Sequence, residues 1–458
     1  MYINTDFLNK GSVYPFADSD YNKRLEVART GRLLYDGEFL EVFKDVWASI
    51  GTRYGQSWAE IEQVLIKVNL FKALTETFKI LAFSKLPVIT TSETNQKVLD
   101  DLVYGNNFFD VMKRSFISAH AQGTGIFKVF VKDGKPQIRS VNPEVYIPIY
   151  AEEDMDSVQA HVLAYEYDVY RDQYNKDKYL KVEINEKGLL TTRLYKIKNG
   201  KLDGYKEESI NYADDYDWDD FLVFPFDYGH PNWRDYATSQ YDDIIPLVDE
   251  LAVRLSNNSK ILDDHADPQL IVPEDALEFD PNSGQHIYKR HQALKIGRDG
   301  AKPEYLTWNG NLTDSENQIN RIMDLFHLIS GTNPQMFGKD IAGNLSGDAL
   351  SKILLMPISK TKEMILSLEH AAEKALECAL FLQDIKDVVN IEFDIGAFNT
   401  LEDLSNRVQA EVRSGIRSIE DAVRKINPRW EEEQIQAEVE RIKDEKSAPS
   451  FEELIGRE

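Results

Sequence analysis

The sequence predicts an α+β fold that is mostly helical, and three observations support this class. Apolar residues recur at steps of three and four through roughly the first 120 residues, as on one face of amphipathic helices. Short β-rich runs separated by turn signals fill the region from about 126 to 226. Helical patterns then return near Asp242 and continue, with one small loop-rich interruption, towards the end of the chain. The β-rich part is therefore expected to be an insertion between helices.

The N-terminal region is predicted to contain two long helices. The first covers about residues 58–83 and ends before Pro87, and the second runs from about Gln96 to His120 with an interruption near Gly105. Glycines at 123 and 125 stop the second helix. The apolar face of the first helix is formed by Ile61, Val64, Leu65, Val68, Phe71, Leu74, Phe78 and Leu81.

The β-rich insertion is predicted to be a mostly antiparallel sheet. Its runs cover 126–131, 137–141, 146–150, 161–170, 178–184 and 191–197. The segments 132–136 and 198–204 between them contain Asp-Gly and Asn-Gly pairs, which are typical of tight turns. Hairpins joined by such turns place neighbouring strands antiparallel.

Two helices of the second half flank a small segment with short β-like pieces. The first begins near Asp242, carries Pro246 in its first turn and is about 23 residues long, or ~35 Å. Its apolar stripe is Ile244, Val248, Leu251, Leu255 and Leu262, with Asn257, Asn258 and Ser259 on its other faces. The second helix is predicted to begin with a capping box of Thr313 and Glu316 and to end at Gly331. Its apolar face is Ile319, Ile322, Met323, Phe326 and Ile329.

A glycine-containing loop at 331–347 leads into the longest predicted helix, which covers about Asp348 to Leu382. Pro357 is expected to kink this helix, because its ring removes a backbone donor and crowds the preceding turn. A β-like run then precedes three short helices with caps at Thr400 and Ser418 and breaks at Gly415 and Pro428. The chain closes with a polar tail.

The composition is strongly acidic. The chain of 458 residues has 53 Lys and Arg against 78 Asp and Glu, which gives a formal charge of −25 and a pI near 4.8. Taken alone, this charge argues against a surface that grips phosphates. The single cysteine, the absence of a signal-peptide pattern at the start and the lack of an uninterrupted apolar run of membrane length predict a soluble, intracellular protein without a membrane partner.

No cofactor or metal site is predicted, and no positive signal favours an enzyme. The chain lacks a dinucleotide fingerprint, a phosphate-binding GxxxxGK[ST] loop and a GxSxG elbow, and the eight histidines show no metal-binding spacing. Cys378 is expected to be a packed small apolar residue in a helix. The alternative is a metal-dependent nuclease or hydrolase that uses the acidic residues from Asp214 to Asp220. That cluster lacks the glycine and glutamate of a calcium loop, which favours a solvated acidic loop.

A short basic segment contrasts with the acidic chain. It contains Lys289, Arg290, Lys295, Arg298 and Lys302, against Asp299 alone. Two interpretations stay open for these residues: a solvated hairpin surface or a binding surface for an acidic partner.

The stretch LISGTNPQMFGKDIAGNLSGDALSKILLMPISKTKEMI at 328–365 resembles the portal proteins of tailed bacteriophages, particularly the long-tailed type. The matching positions are Ser330, Gly331, Pro334, Phe337, Gly338, Ser346, Gly347, Ala349 and Leu350. The run RSGIRSIEDAVRKINPRWEEEQIQAEVERIKDE is similar to the terminal helical region of that family, and the order of parts along the chain is also similar.

This resemblance implies a ring, typically of twelve copies, at the portal vertex of a virion capsid. Double-stranded DNA would be packaged and ejected through its central channel. The ring would dock the large subunit of the terminase and later the head-completion or adaptor protein of the head-tail connector, with the major capsid or scaffolding protein as a further partner. It would be present in the host cytoplasm during assembly, and it would be neither an enzyme nor cofactor-dependent. A capsid-associated structural protein without a channel is a third interpretation.

The resemblance also divides the chain into parts. It implies a wing at 1–240, a stem helix at 241–267, a clip at 268–312, a second stem helix at 313–330, a tunnel loop at 331–347, a return to the wing at 348–394, a helical crown at 395–446 and a polar tail at 447–458. The wing return would hold the kinked helix and a β-like strand.

Particular residues acquire expected roles from this division. The tunnel loop would present Asn333, Gln335, Lys339, Asp340 and Asn344 to DNA, with Gly331, Gly338, Gly343 and Gly347 as hinges. The basic clip residues 289–302 named above would contact DNA or a protein partner. For Lys339 the alternative is a solvated lysine paired with Asp340. Under this interpretation the negative charge of the chain keeps its affinity for DNA low, so that DNA passes through the channel without being bound.

Overall fold

In the computed structural model of the chain, the described residues are 5–16, 19–44, 66–151, 157–170, 176–230, 236–266, 270–271, 278–281, 285–287, 304–305, 312–339, 352–395, 408–427, 430 and 432–447. They belong to two compact units. The first unit contains the chain up to Thr332 together with Lys360–Asp394, and the second contains Asn333–Ser359 and the residues from Ile395 onward. The mixture of helices and antiparallel sheets confirms the predicted α+β class.

The helices with defined ends are α1 (Ser19–Asp36), α2 (Leu70–Ala82), α3 (Gln96–Gly105), α4 (Phe108–Gln122), α5 (Tyr212–Tyr216), α6 (Ile245–Ala266), α7 (Thr313–Ser330), α8 (Leu355–Phe381), α9 (Ile419–Ile426) and α10 (Glu432–Ser447). Within the part of the chain that the structure describes, no helix is long and apolar enough to cross a membrane.

The strands are β1 (Val88–Thr90), β2 (Gly125–Lys132), β3 (Lys135–Ser140), β4 (Tyr146–Tyr150), β5 (Val158–Tyr170), β6 (Lys176–Glu186), β7 (Leu189–Lys198), β8 (Lys201–Asn211), β9 (Val223–Phe226), β10 (Leu270–Ile271), β11 (Glu278–Asp280), β12 (Gln285–Ile287), β13 (Glu304–Tyr305) and β14 (Asn390–Glu392).

The first predicted helix is wrong at residues 66–69, which are not helical. Helix α2 begins at Leu70, because the side chain of Asn69 accepts a hydrogen bond of 2.9 Å from the backbone N–H of Lys72 and caps the helix. The apolar periodicity of the sequence continues through Asn69, so it did not show where the helix begins. Residues 58–65 of the prediction lie outside the described part.

The second predicted helix is confirmed together with its interruption. Helix α3 ends at Gly105, and α4 begins at Phe108 after Asn107, whose φ of 50° turns the chain between the two helices. Helix α4 ends at Gly123, where φ is 83° and the amide donates to the carbonyl of Ala119. Only glycine adopts this left-handed conformation without strain.

Strands β4 to β8 form an antiparallel five-stranded sheet in chain order. The β-rich runs predict β4 to β7, and no run predicts β8. The prediction is wrong at 201–204, which belong to β8 and not to the preceding turn. The turn itself consists of Asn199 and Gly200, both with positive φ. Strand β8 is largely exposed at the edge of the sheet and is rich in charge, so it lacks the alternating apolar pattern on which the prediction depends.

The N-terminal segment packs against this sheet. Leu8 and Phe16 are buried in the same apolar cluster as Val162, Leu180 and Tyr195. The hydroxyl of Tyr195 donates to the carbonyl of Leu8 at 2.6 Å. Further along the segment, backbone hydrogen bonds join residues 11–14 to residues 200–202 at the beginning of β8. The segment thus covers one end of the outer edge of the sheet.

Helix α6 confirms the predicted helix near residue 242 and contains 22 residues, and α7 confirms the predicted end at Gly331. The predicted capping box is wrong, because the N-cap is Leu312 and Thr313 is already helical. The N-cap residue Leu312 makes no side-chain hydrogen bond to this end. Between the two helices, β10 pairs with β13 and β11 pairs with β12, each antiparallel.

Helix α8 begins at Leu355 after a turn at Leu354. Pro357 is therefore in its first turn, where the amide that proline lacks would have no partner within the helix. The predicted helix from Asp348 to Leu382 is thus interrupted at Leu354, three residues before Pro357. A kink at Pro357 itself stays a prediction, and residues 348–351 lie outside the described part. Cys378 is buried in α8, as predicted, and β14 pairs with β1.

The second unit contains α9 and α10, which pack through Val423, Ile435 and Val439. The predicted cap at Ser418 is confirmed, since its hydroxyl accepts a hydrogen bond from the amide of Asp421 at 3.1 Å. Gly415 has a φ of 72°, which agrees with the predicted break. Thr400 and Pro428 lie outside the described residues.

Candidate functional site

The candidate site begins with the helix pair α6 and α7. Near the end of α6, Asn258 accepts a hydrogen bond of 2.7 Å from the hydroxyl of Ser315, near the beginning of α7. Further along α7, Ile322 and Phe326 are buried. The end of one helix therefore lies beside the beginning of the other, and apolar residues at steps of four fill the contact.

A second apolar stripe on α7 remains exposed. Leu325, Leu328 and Ile329 are 38%, 77% and 44% exposed, and they follow one another at steps of three and one, so they share one face of the helix. Leu262 of α6 is 56% exposed. The predicted apolar face of α7 is thus only partly buried within the chain, and Ile329 belongs to the exposed stripe.

The turn after α7 is closed by hydrogen bonds to the carbonyl of His327. The amide of Gly331, with φ of 70°, and the amide of Thr332 both donate to it. The Thr332 hydroxyl is also 2.9 Å from Nδ1 of His327 and 2.7 Å from the hydroxyl of Ser330. Gly331, predicted as a hinge, therefore forms the C-terminal cap of α7, and its movement stays a prediction.

Lys360 of α8 lies under this turn. Its Nζ donates to the backbone carbonyl of Ser330 at 3.0 Å and is 5.5 Å from the centre of the Phe78 ring. Burial lowers the pKa of Lys360, whereas the carboxylates of Glu363 and Asp243 act in the opposite direction. A partly buried ammonium group thus meets the negative end of the α7 dipole.

A buried polar cluster connects the same region to the beginning of α6. The hydroxyl of Thr75 is bonded to Nδ1 of His120 at 2.9 Å and to the hydroxyl of Tyr241. The carbonyl of Tyr241 accepts hydrogen bonds from Ile244 and Ile245, where α6 starts. Burial, with a further contribution from Lys360, lowers the pKa of His120 to about 3, so the imidazole is neutral at pH 7.

Sequence reasoning missed this cluster. Thr75, His120, Tyr241 and Lys360 are far apart in the chain, and no spacing relates them. The one available signal was a polar residue beside the apolar face of a helix, as with Thr75 next to Leu74.

The described part of the predicted tunnel loop belongs to the second unit. Pro334–Phe337 form a 3₁₀ helix, for which the Asn333 side chain accepts a hydrogen bond from Met336 at 3.1 Å. The same side chain donates to the carbonyl of Ile353 at 2.8 Å. The carbonyl of Gln335 accepts from Gly338, whose φ is 76°. The beginning of the predicted loop is therefore an ordered turn.

Lys339 is exposed at the end of this turn. Its predicted partner Asp340, the predicted loop residue Asn344 and the predicted hinges Gly343 and Gly347 lie outside the described residues. The predicted basic clip residues, Lys289, Arg290, Lys295, Arg298 and Lys302, also lie outside them. The structure therefore tests neither their positions nor their partners.

The acidic residues at 214–220, the alternative metal site, are not brought together as a group of ligands in this structure. Asp217 is paired with Lys386 at 2.7 Å, and Asp214 participates in the capping of α5 by Asn211. Among the described residues, which include this whole segment, no group of three or more His, Cys, Asp or Glu side chains could hold a metal ion. The acidic loop is used for local hydrogen bonds and a surface ion pair.

A family model that matches most of the chain gives its class, the phage portal proteins. More narrowly, the family model of phage portal proteins of the SPP1 Gp6-like type matches residues 19–450, and the chain belongs to this family. The predicted resemblance is confirmed. The family is structural and not enzymatic. Comparison with curated proteins gives no match.

Three solved structures are similar to the chain in fold. The neck of an empty gene transfer agent particle, computed with C6 symmetry, has a TM-score of 0.48 at 11% identity and covers 80% of this chain and 91% of that chain. The neck of the native particle, computed with C12 symmetry, has a TM-score of 0.47 at 10% identity, with coverages of 78% and 88%. The virion of the native particle has a TM-score of 0.45 at 11% identity, with the same coverages.

Proposed function

We propose that the chain assembles into a ring, typically of twelve copies, which forms the channel for double-stranded DNA at one vertex of a phage capsid. Membership of the portal family supports this function. The observation that carries the ring is the exposed stripe of Leu325, Leu328 and Ile329 on α7. Exposed apolar residues on one helix face are explained by burial against a neighbouring copy.

In this ring, α6 and α7 are the stem helices. Each copy meets its two neighbours through different surfaces, and such head-to-tail contacts close only when the rotation per subunit is right. The stripe of α7 would meet a stem helix of the next copy. Burial of Leu328, which is 77% exposed in the single chain, would contribute about 1–2 kcal/mol per contact.

The segment 331–347 would be the tunnel loop that meets DNA, with Lys339 as a local phosphate contact. The remaining channel would avoid a continuous basic surface, because each neutralised phosphate increases affinity through counterion release. The formal charge of −25 per chain suits a channel through which DNA slides.

The remaining parts follow the family pattern. Residues 268–312 would form the clip that meets the large terminase subunit during packaging and the head-completion protein later, with the basic residues 289–302 as the contact. The crown at 395–446 would face the capsid interior, and 1–240 with 348–394 would form the wing that meets the capsid or scaffolding protein. ATP hydrolysis would belong to the terminase. The assembly would form in the host cytoplasm and remain in the virion.

Negative-stain microscopy and light scattering of the purified chain test the ring. We expect rings with a central hole for the unaltered chain. Leu328→Asp should give folded monomers, because a charge would be buried in the contact. Tyr104→Asp, on the exposed face of α3, is the matched control and should still form rings. Compact monomers of the unaltered chain under all conditions would contradict the proposal.

Packaging assays with purified rings test the loop contact separately. Lys339→Gln should change the retention of packaged DNA without changing ring formation. Lys97→Gln on α3, another exposed lysine, is the control. Equal DNA retention in both variants would remove Lys339 from the channel while leaving the ring unaffected.

A further inference from the structure

The beginning of α6 and the end of α7 lie at one group of buried and partly buried side chains. At the beginning of α6, Tyr241 is bonded to Thr75, and Thr75 is bonded to His120. At the end of α7, the Ser330 carbonyl is bonded to Lys360. Lys360 lies over the ring of Phe78, and that ring packs beside His120 at 5.5 Å between ring centres. All of these residues belong to the first unit.

The hydrogen bond from Lys360 satisfies a carbonyl that α7 leaves without a partner of its own. The last four carbonyls of a helix lack intrahelical donors, and a cation at this end is favoured by the dipole. Burial of an ammonium group is costly unless hydrogen bonds compensate. The contact is therefore favourable to both sides, and its loss would leave a buried carbonyl unpaired.

The side chain of Lys360 also packs closely against the backbone of the turn at Gly331. A Cβ atom built on Gly331 would be 3.3 Å from Cδ of Lys360, which is closer than ordinary van der Waals contact. Gly331 has a positive φ that other residues adopt only with strain. The side chain of Lys360 and the backbone of Gly331 thus determine each other's position.

We propose that Lys360 is a positioning residue, a latch that holds the last turn of α7 closed on α2 and α4. The latch fixes the conformation of the turn at residues 330–332. When it opens, the amides of Gly331 and Thr332 lose their bonds to His327, while α6 and α7 remain folded.

Hydrogen exchange of the full-length protein, followed by mass spectrometry, tests the latch. Lys360→Met keeps the aliphatic chain on Phe78 but removes the donor. We expect exchange in a peptide covering 327–338 to be faster by on the order of tenfold, with α4 unchanged. Lys362→Met, an exposed lysine two residues away, is the control and should leave both regions unchanged. Unchanged exchange at 327–338 in Lys360→Met would overturn the proposal.

A double-mutant cycle distinguishes a latch from general stability. Gly331→Ala strains the same turn and crowds the same side chain. If both residues hold one latch, Gly331→Ala should accelerate exchange at 327–338 much less in the Lys360→Met background than alone. If the double variant accelerates exchange by the product of the two single-variant factors, the residues act independently. That result would also overturn the proposal. Lys360→Arg, which keeps a donor, should exchange more slowly than Lys360→Met.

The consequence for DNA rests on the proposed function. If the turn leads into a tunnel loop, Lys360→Met rings should retain packaged DNA less well than Lys362→Met rings. The exchange experiment needs no ring and no DNA. A positive exchange result without an effect on DNA retention would keep the latch and remove its role in the channel.

Discussion

The interior of the five-stranded sheet and the outer face of the helix pair α6–α7 differ in how far their apolar residues are buried. The sheet buries Val162, Leu180 and Val182 completely within one chain. The helix pair buries Phe326 but leaves Leu325 and Leu328 exposed. The interior of the sheet is therefore buried within a single copy, although Tyr170 at the end of β5 and Tyr205 on the edge strand β8 are exposed, whereas the helix pair leaves a continuous apolar stripe exposed among the described residues.

The two regions also differ in how they accommodate polar groups. In the sheet region, Glu183 is buried between Lys128 and Lys181, and His161 is buried against Tyr146. The buried carboxylate of Glu183 thus has ammonium partners from its own strand β6 and from β2. At the helix pair, the partly buried ammonium of Lys360 is instead held by a backbone carbonyl at the end of α7. The comparison predicts that variants in the sheet change folding, whereas variants on the exposed stripe change assembly.

The largest effect is expected for a truncation in the sheet core. Leu180→Ala should lower the free energy of unfolding by about 2–5 kcal/mol, because the cavity is enclosed on all sides. Urea titration of the unassembled chain measures it. Leu180→Met is the control and should cost less than about 1.5 kcal/mol. If Leu180→Ala lost less than about 1.5 kcal/mol of stability, the site around Leu180 would not be enclosed within one chain.

A slightly smaller effect is expected for the buried ion pair. Burial acts to raise the pKa of Glu183, but the ammonium groups of Lys128 and Lys181 outweigh it and hold that pKa below its usual range. Lys128→Met should cost about 3 kcal/mol, at the low end for a broken buried pair, because Lys181 remains. Lys178→Met removes an exposed partner of Glu166 and should leave the urea midpoint nearly unchanged.

Acid should destabilise the sheet region through His161. Burial lowers its pKa to about 3 in the folded chain, against about 6.5 when unfolded. The unfolded state therefore binds the proton first, and stability that is complete above pH 6.5 is lost as the pH falls towards 3. At pH 5 the loss is about 2 kcal/mol for this histidine.

The comparison of His161→Gln with the unaltered chain isolates this contribution. The variant should lose less stability between pH 7 and pH 5 in urea titrations, even if it is less stable at pH 7. Equal losses in both chains would show that His161 is protonated or solvated in the folded state.

The smallest effect on folding is expected on the exposed stripe. Leu328→Gln should change the free energy of unfolding of the unassembled chain by no more than about 0.5 kcal/mol. Urea titration at a concentration where the chain is monomeric measures it. A large loss would mean that Leu328 is buried within the chain, and the contrast with the sheet would disappear.

Much of the fold could be predicted because local signals were strong. The break between α3 and α4 follows from Gly105 and its neighbours, and β4 agrees with its prediction at both ends. The predicted bounds were wrong where a single hydrogen bond ends a helix or where a strand lies at the edge of a sheet. Asn69 caps α2 without altering the apolar period, and β8 is a charged edge strand.

The site was less predictable. Sequence motifs identified the turn at 331 and the helix pair, because glycine conformations and helical periods are local properties. The contacts of Lys360 and His120 depend on packing between residues that are distant in the chain, and no period records them. The sequence could not show that Leu325 is exposed, because apolar residues have the same spacing on a buried helix face and on an exposed one.

The pairing of residues 11–14 with the beginning of β8 has a consequence for the solubility of the chain. An uncovered strand edge offers its backbone groups to strands of other molecules, and the native segment blocks this along the first residues of β8. Farther along, Lys206, Glu207 and Glu208 keep the edge charged. The N-terminal segment and these charges therefore leave little of the outer edge of β8 open to pairing with a strand of another molecule.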